Sequence, residues 1–154
     1  MAQQPKYDIQ IVTCIESLVP NGLGRSRMIS PIAEVDYQDF TSQRTEDKKS
    51  KNKSKRKDMR IKEYEETKLL NFYNEGGIRF QNIASNDALM TSKINDMLAN
   101  GWELFDVKTG VESKMANASV KKAIIKALLD DDSESANDPN GLFLTRYYFR
   151  KEAE

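Results

Sequence analysis

The chain has 154 residues, and its 24 Lys and Arg residues balance its 24 Asp and Glu residues. It contains no His, which excludes Ser-His-Asp and Cys-His catalysis, and its single Cys14 excludes an intramolecular disulfide and a multi-Cys metal site. We therefore predict a protein that is not an enzyme and that uses no metal and no other cofactor.

The N-terminal part of the chain has the pattern of a β-hairpin. Apolar and polar residues alternate from Tyr7 to Ile15, which predicts a strand. The segment 20–24 contains a Pro and two Gly residues and is typical of a turn. The segment 25–29 follows as a returning strand that Pro31 ends.

A long polar segment comes next. Residues 41–57 contain no aliphatic and no aromatic side chain, so they cannot bury enough surface to offset the entropy lost on ordering. We expect residues 41–60 to form a disordered basic insertion, or a long loop, within one domain that spans residues 1–154. The segment 60–73 is expected to continue it as a charged helix or strand.

The second half of the chain alternates helices and strands. Asn86 to Asn100 is predicted to form an amphipathic helix, capped at its start by Ser85 or Asn86. Gly101 stands where a helix end favours a left-handed residue, and a strand is predicted from 102 to about 111. A second helix over 116–129, an acidic loop over 130–141 and an aromatic strand over 142–150 complete the pattern. Together these elements predict an α+β fold, with a mainly antiparallel sheet of about four strands packed against two helices and a long polar insertion.

The helix-to-strand junction carries a recognisable motif. Gly101, Trp102, Glu103 and Leu104 follow the predicted helix and open the next strand. This arrangement resembles the small bacterial domains of unknown function called DUF4177, whose Tyr-rich first strand and aromatic last strand also have counterparts here. The resemblance implies a compact α+β unit and supplies no catalytic residues. We expect Gly101, Trp102 and Leu104 to be structural, with Trp102 in the core rather than stacked on a ligand.

The neutral net charge conceals a strongly basic segment. The window 48–62 holds nine basic residues and one acidic residue, a net charge of +8, so the rest of the chain carries −8. Such a run can bind nucleic-acid phosphates, an acidic protein surface or an anionic membrane, or it can be a solvated loop that only maintains solubility. The basic residues are Lys48, Lys49, Lys51, Lys53, Lys55, Arg56, Lys57, Arg60 and Lys62.

A second candidate site is the glycine-containing loop after the first strand. Gly22, Gly24, Arg25 and Arg27 could surround an anion, although the loop fits neither a P-loop nor a dinucleotide fingerprint and equally suits a hairpin turn. As a small-ligand protein or an enzyme, the chain would use this loop with Glu16 or Glu103 as the carboxylate.

The leading functional hypothesis is a non-catalytic binding or assembly module in the bacterial cytoplasm. Its basic insertion would contact a polyanion such as nucleic acid, or a larger complex with an acidic surface. A third hypothesis is a structural subunit of a homo-oligomer or particle, for which an exposed apolar patch would be the indication. No apolar run is long enough to predict a transmembrane segment, and no signal peptide is expected.

Overall fold

The computed structural model describes residues 3–4, 6–17, 26–74, 77–112 and 141–154. Contacts divide the chain into two compact units, residues 1–30 with 66–154 and residues 31–65. The secondary-structure elements, in chain order, are the strands β1 (Tyr7–Ser17) and β2 (Arg27–Pro31), the helix α1 (Arg56–Met59), the strands β3 (Tyr64–Lys68), β4 (Tyr73–Asn74) and β5 (Gly77–Ile78), the helix α2 (Phe80–Ala99), and the strands β6 (Glu103–Glu112) and β7 (Leu142–Glu152).

A five-stranded sheet organises the first unit. Its strand order is β3-β2-β1-β7-β6, and the registered pairs are antiparallel. The predicted α+β class with a mainly antiparallel sheet is therefore confirmed, with five strands instead of about four. The extra strand is β3, whose sequence Tyr-Glu-Glu-Thr-Lys lacks an apolar alternation that would distinguish it from the polar segment before it.

The first and last strands form the centre of the sheet. They pair along their whole length, from Tyr7 opposite Glu152 to Ser17 opposite Leu142. Within β1 the side chains of Val12, Cys14 and Glu16 are buried, whereas the residues between them are only half-buried. This alternation follows from the period of two residues in a strand, which turns successive side chains to opposite faces of the sheet.

Helix α2 covers the buried face of the sheet. Met90 and Met97 of the helix lie in the core cluster with Val12, Cys14 and Phe149 of the sheet. The predicted bounds of the strands β1, β6 and β7 agree with the structure to within two residues at each end. The predicted amphipathic helix is present, but its predicted start at residue 86 is wrong.

Helix α2 begins six residues earlier than predicted, at Phe80. The capping role assigned to Ser85 or Asn86 is also wrong, because both residues lie inside the helix. Asn86 is fully buried, and its amide is hydrogen-bonded to the backbone of Leu70 instead of a helix terminus. An Asn that finds backbone partners on a neighbouring segment does not interrupt the helix that carries it.

The junction between α2 and β6 has the predicted geometry. Gly101 follows the helix with a φ of +87°, the left-handed conformation that Gly adopts without steric cost. Trp102 and Leu104 are partly buried and pack against the core cluster. The backbone N–H of Trp102 donates to the Met97 carbonyl at 3.0 Å and helps to close the helix end.

The second unit contains the predicted insertion. It holds a short 3-10 helix over Tyr37–Phe40 and the single-turn helix α1. The sequence predicts a disordered insertion or a long loop over 41–60, and the structure describes a set of hydrogen bonds there, made largely by Ser, Thr and Asn side chains. These side chains bond nearby backbone without needing an apolar core, which is why hydrophobicity alone does not reveal them.

Two predicted features lie outside the described residues. They are the helix over 116–129 and the acidic loop, of which only Gly141 is described. The connection that contains them leaves β6 after Glu112 and returns at Leu142, and these two residues are opposite each other in the sheet.

Candidate polyanion-binding segment

A small hairpin precedes most of the basic residues. The Thr45 N–H donates to the Lys48 carbonyl at 2.8 Å, and the Ser50 N–H donates to the Gln43 carbonyl at 3.0 Å. The hydroxyl of Thr45 accepts from the Lys48 N–H at 2.9 Å, so a Thr side chain closes the turn. Backbone and hydroxyl groups hold this hairpin, and it requires no charged side chain.

Two neutral side chains hold the segment that follows the hairpin. The Asn52 amide donates to the Asp39 carbonyl at 2.6 Å, and the Ser54 hydroxyl donates to the same carbonyl at 3.3 Å. The Asn52 N–H also donates to the Ser42 hydroxyl at 2.8 Å. The side chains that hold this part of the backbone therefore belong to alternate residues, Asn52 and Ser54.

The residues between and beside these two are lysines. Lys51, Lys53 and Lys55 flank Asn52 and Ser54 and are exposed, whereas Asn52 is half-buried. The alternation thus separates the residues that hold the backbone from the residues that carry charge.

All nine predicted basic residues lie on the surface of the second unit, each of them exposed. Among the described residues, ion pairs join Arg27 to Glu66, Lys108 to Asp106 and Arg150 to Glu103, all outside the basic window. Asp58, the one acid in the basic window, accepts from the Lys55 N–H at 2.9 Å at the start of α1. The nine basic side chains thus form one exposed, cationic segment of the second unit.

The alternative anion site is only partly described. Gly22, Gly24 and Arg25 lie outside the described residues. Arg27 is at the start of β2, where its Nε donates to the Glu66 carboxylate and its Nη1 donates to the Ser26 carbonyl at 2.7 Å. Its charge is already balanced by an acid, which makes Arg27 a weaker anion ligand than an unpaired lysine.

Sequence reasoning missed a buried polar cluster between the sheet and α2. The Asn86 amide donates to the Glu16 carboxylate at 3.0 Å and to the Leu70 carbonyl at 2.7 Å, and its oxygen accepts from the Leu70 N–H at 2.7 Å. Burial raises the pKa of Glu16, the bond from Asn86 opposes that rise, and the charge of Asp87 adds to it. The sequence does hold a signal for this cluster. Glu16 continues the buried side of β1 after Val12 and Cys14, and Asn86 lies one helical turn before the buried Met90, so each is a polar residue at an apolar position of its pattern.

Cys14 is a core residue with no sign of reactivity. Its side chain is fully buried between Val12 and Glu16 on β1. Burial, and to a smaller extent the charge of Glu16, raise the pKa of the Cys14 thiol to about 12. A thiol that stays protonated at neutral pH is a poor nucleophile, so Cys14 serves as a small apolar residue.

The second carboxylate considered for ligand chemistry, Glu103, is bound to Arg150. Two hydrogen bonds of 2.8 and 3.2 Å join them beside an open groove of about 410 Å³, and Arg150 also lies over the rings of Tyr7 and Phe105. The hydrogen bond from Arg150 lowers the pKa of Glu103, so this carboxylate is ionised and already paired. It is not arranged as a general base.

The described residues contain no group of three or more Cys, Asp or Glu side chains arranged to hold a metal ion. Across the same ranges, none of the helices has the length and the apolar character needed to cross a bilayer.

Comparisons with protein-family models, with curated proteins and with solved structures find no match for this chain. The resemblance to DUF4177 domains therefore stays a prediction that depends on the Gly-Trp-Glu-Leu junction and the two flanking strands.

Proposed function

We propose that this chain is a non-catalytic binding module that uses the basic segment 48–62 to bind the phosphate backbone of nucleic acid. The observation that carries the proposal is the alternation from Lys51 to Lys55, in which neutral side chains hold the backbone and the intervening lysines remain exposed. A segment that only maintained solubility would not need its backbone fixed in this way.

The fixed backbone matters for affinity. A cation on a held segment loses less conformational entropy on binding than the same cation on a free tail, so each phosphate contact contributes more. Lysine ammonium groups bind phosphate as point charges, without base-specific geometry. The expected binding is therefore independent of sequence and strongly dependent on salt.

The proposal is tested with fluorescein-labelled mixed-sequence oligonucleotides of about 20 nucleotides, as single-stranded RNA and as duplex DNA, by anisotropy over a series of salt concentrations. The test variant neutralises the alternating lysines as K51Q/K53Q/K55Q. The matched control, K6Q/K68Q/K151Q, removes the same charge from exposed lysines elsewhere.

We expect K51Q/K53Q/K55Q to weaken binding and to reduce the slope of log K against log salt by about 0.7 to 0.9 for each phosphate that the variant no longer neutralises. The control should retain most of the affinity and the slope. Equal losses in both variants would show a nonspecific effect of net charge and would contradict the proposal. Binding to an acidic protein surface with no measurable affinity for either nucleic acid would contradict it as well.

A further inference from the structure

Strand β6 is the edge of the five-stranded sheet. Its ten residues pair with β7 on one side, and within the described ranges no strand pairs with its other side. Edge strands in natural proteins are usually shorter, because a long unpaired edge presents a row of backbone donors and acceptors to another strand. This edge requires an explanation, since its side chains Val107 and Val111 are exposed and apolar.

One hydrogen bond identifies the outward-facing amides. The Val107 N–H donates at 2.8 Å to Oδ1 of the preceding residue, Asp106. Because this N–H is satisfied by a side chain of its own strand, we take it to face away from β7, on the outer edge of β6. In an antiparallel sheet, amides alternate between the two neighbours, so Thr109 and Val111 present their backbone groups on the same side. These groups are available to a strand that adds to the sheet.

The charges on β6 distinguish between registers. In an antiparallel pair, two residues that lie opposite each other either both face the partner strand or both face away from it. A two-fold axis between two copies of β6 must therefore pass beside a residue, which then lies opposite its own copy. An axis at residue 106 puts Asp106 opposite Asp106, and one at 108 puts Lys108 opposite Lys108. An axis at 109 puts Asp106 opposite Glu112. An axis at residue 110 puts Lys108 opposite Glu112 twice, but the two strands then overlap only over residues 108–112. An axis at Val107 puts Asp106 opposite Lys108 twice and overlaps the strands over residues 103–111.

We infer that β6 pairs antiparallel with β6 of a second copy of this chain, centred on Val107, to form one continuous sheet of two copies. The Val107 N–H then donates to the Val107 carbonyl of the second copy, as a ladder hydrogen bond that replaces the local bond to Asp106. The released Asp106 carboxylate meets Lys108 of the second copy. Within one chain these two residues already form an exposed ion pair of 3.3 Å, so both side chains lie at the edge where the second copy would meet them.

The inference is independent of the proposed function, since β6 and the basic segment belong to different units of the chain. Its test is the mass of the full-length chain by sedimentation velocity at about 1 to 200 μM, a range that detects micromolar dissociation constants. Circular dichroism of each variant verifies that the sheet is folded.

Three variants examine the register, and a fourth examines the backbone. D106K alone and K108D alone each place like charges opposite each other, whereas D106K/K108D restores two opposite-charge pairs. V107P removes the outward N–H and leaves the pairing with β7, as edge positions tolerate. K68D changes the charge of an exposed residue on β3 by the same amount as K108D and serves as the control.

We expect each single charge variant to raise the dimer dissociation constant about tenfold or more, and the double variant to return it to within about threefold of the original. V107P should be a folded monomer, and K68D should dimerise normally. A wild-type chain that is monomeric at about 200 μM, the top of that range, would overturn the inference. A dimer indifferent to V107P, or single-variant losses that the double variant does not restore, would overturn it equally.

Discussion

Asn86 is the residue whose loss should cost the fold most through hydrogen bonding. In Asn86→Ala, three hydrogen bonds disappear, two with the Leu70 backbone and one with the Glu16 carboxylate. A neutral hydrogen bond contributes about 1 kcal/mol and one to a charged group about 1.5 to 3 kcal/mol, so the free energy of unfolding should fall by about 3.5–5 kcal/mol at pH 8. That is a large part of the roughly 5 to 15 kcal/mol typical of a domain.

The cost should also depend on pH. Burial raises the pKa of Glu16, and the bond from Asn86 is what opposes that rise, so the variant leaves an ionised carboxylate without its amide partner. At pH 4 the carboxyl of the folded variant is protonated, and the penalty for an unpaired buried charge is absent. We therefore expect a smaller loss of stability at pH 4 than at pH 8.

Urea denaturation at both pH values measures these costs, and Asn82→Ala is the matched control. Asn82 lies on the same helix, is half-buried and donates one hydrogen bond, to the Asn71 carbonyl at 2.8 Å. The gain in helix propensity from Asn to Ala is common to both variants and cancels in the comparison. The reasoning is refuted if Asn86→Ala costs no more than Asn82→Ala, or if its cost is the same at pH 4 and pH 8.

Three further predictions concern the same unit. Gly101→Ala should lower the free energy of unfolding by about 1–2 kcal/mol, because it strains the positive φ, whereas Gly110→Ala, with no positive φ and no atom within 4 Å of an added Cβ, should be nearly neutral in the same urea titration. Glu16→Gln should raise the melting temperature at pH 8 and leave it nearly unchanged at pH 4. Because the pKa of Glu16 is higher in the folded than in the unfolded chain, the protein loses stability as the pH rises from the unfolded-state pKa to the folded-state pKa. A melting temperature of Glu16→Gln that is not raised at pH 8 would contradict this. Cys14 should resist Ellman's reagent at pH 8 until urea unfolds the chain; prompt labelling of the native protein would show that the thiol is neither buried nor protonated.

The parts of the fold that could be predicted are those in which a single periodicity decides the outcome. β1 and β7 have alternating or aromatic patterns, and the second half of α2 has a regular apolar stripe that ends at Gly101. In these segments local propensity and tertiary packing favour the same structure, so the pattern is sufficient.

The parts that could not be predicted depend on partners distant in sequence. Asn86 resembles a helix cap until Leu70 and Glu16, at separations of 16 and 70 residues, are known to receive its hydrogen bonds. The order within 31–65 likewise depends on Asn52 and Ser54 reaching the Asp39 carbonyl across 13 and 15 residues. Composition identified the charges of the candidate segment correctly, but the spatial separation of charge and scaffold is visible only in the structure.

The pairing of β1 with β7 has a consequence for how the chain is made. The central pair of the sheet joins Tyr7 to Glu152, so β1 has no partner on that side until residues 142–152 have emerged from the ribosome. Contacts of such long sequence separation slow folding, since the loop between them must close before they can form. During synthesis β1 and β6 therefore lack the strand that joins them until β7 is made, and residues 142–152 complete the sheet that protects the chain from aggregation and proteolysis.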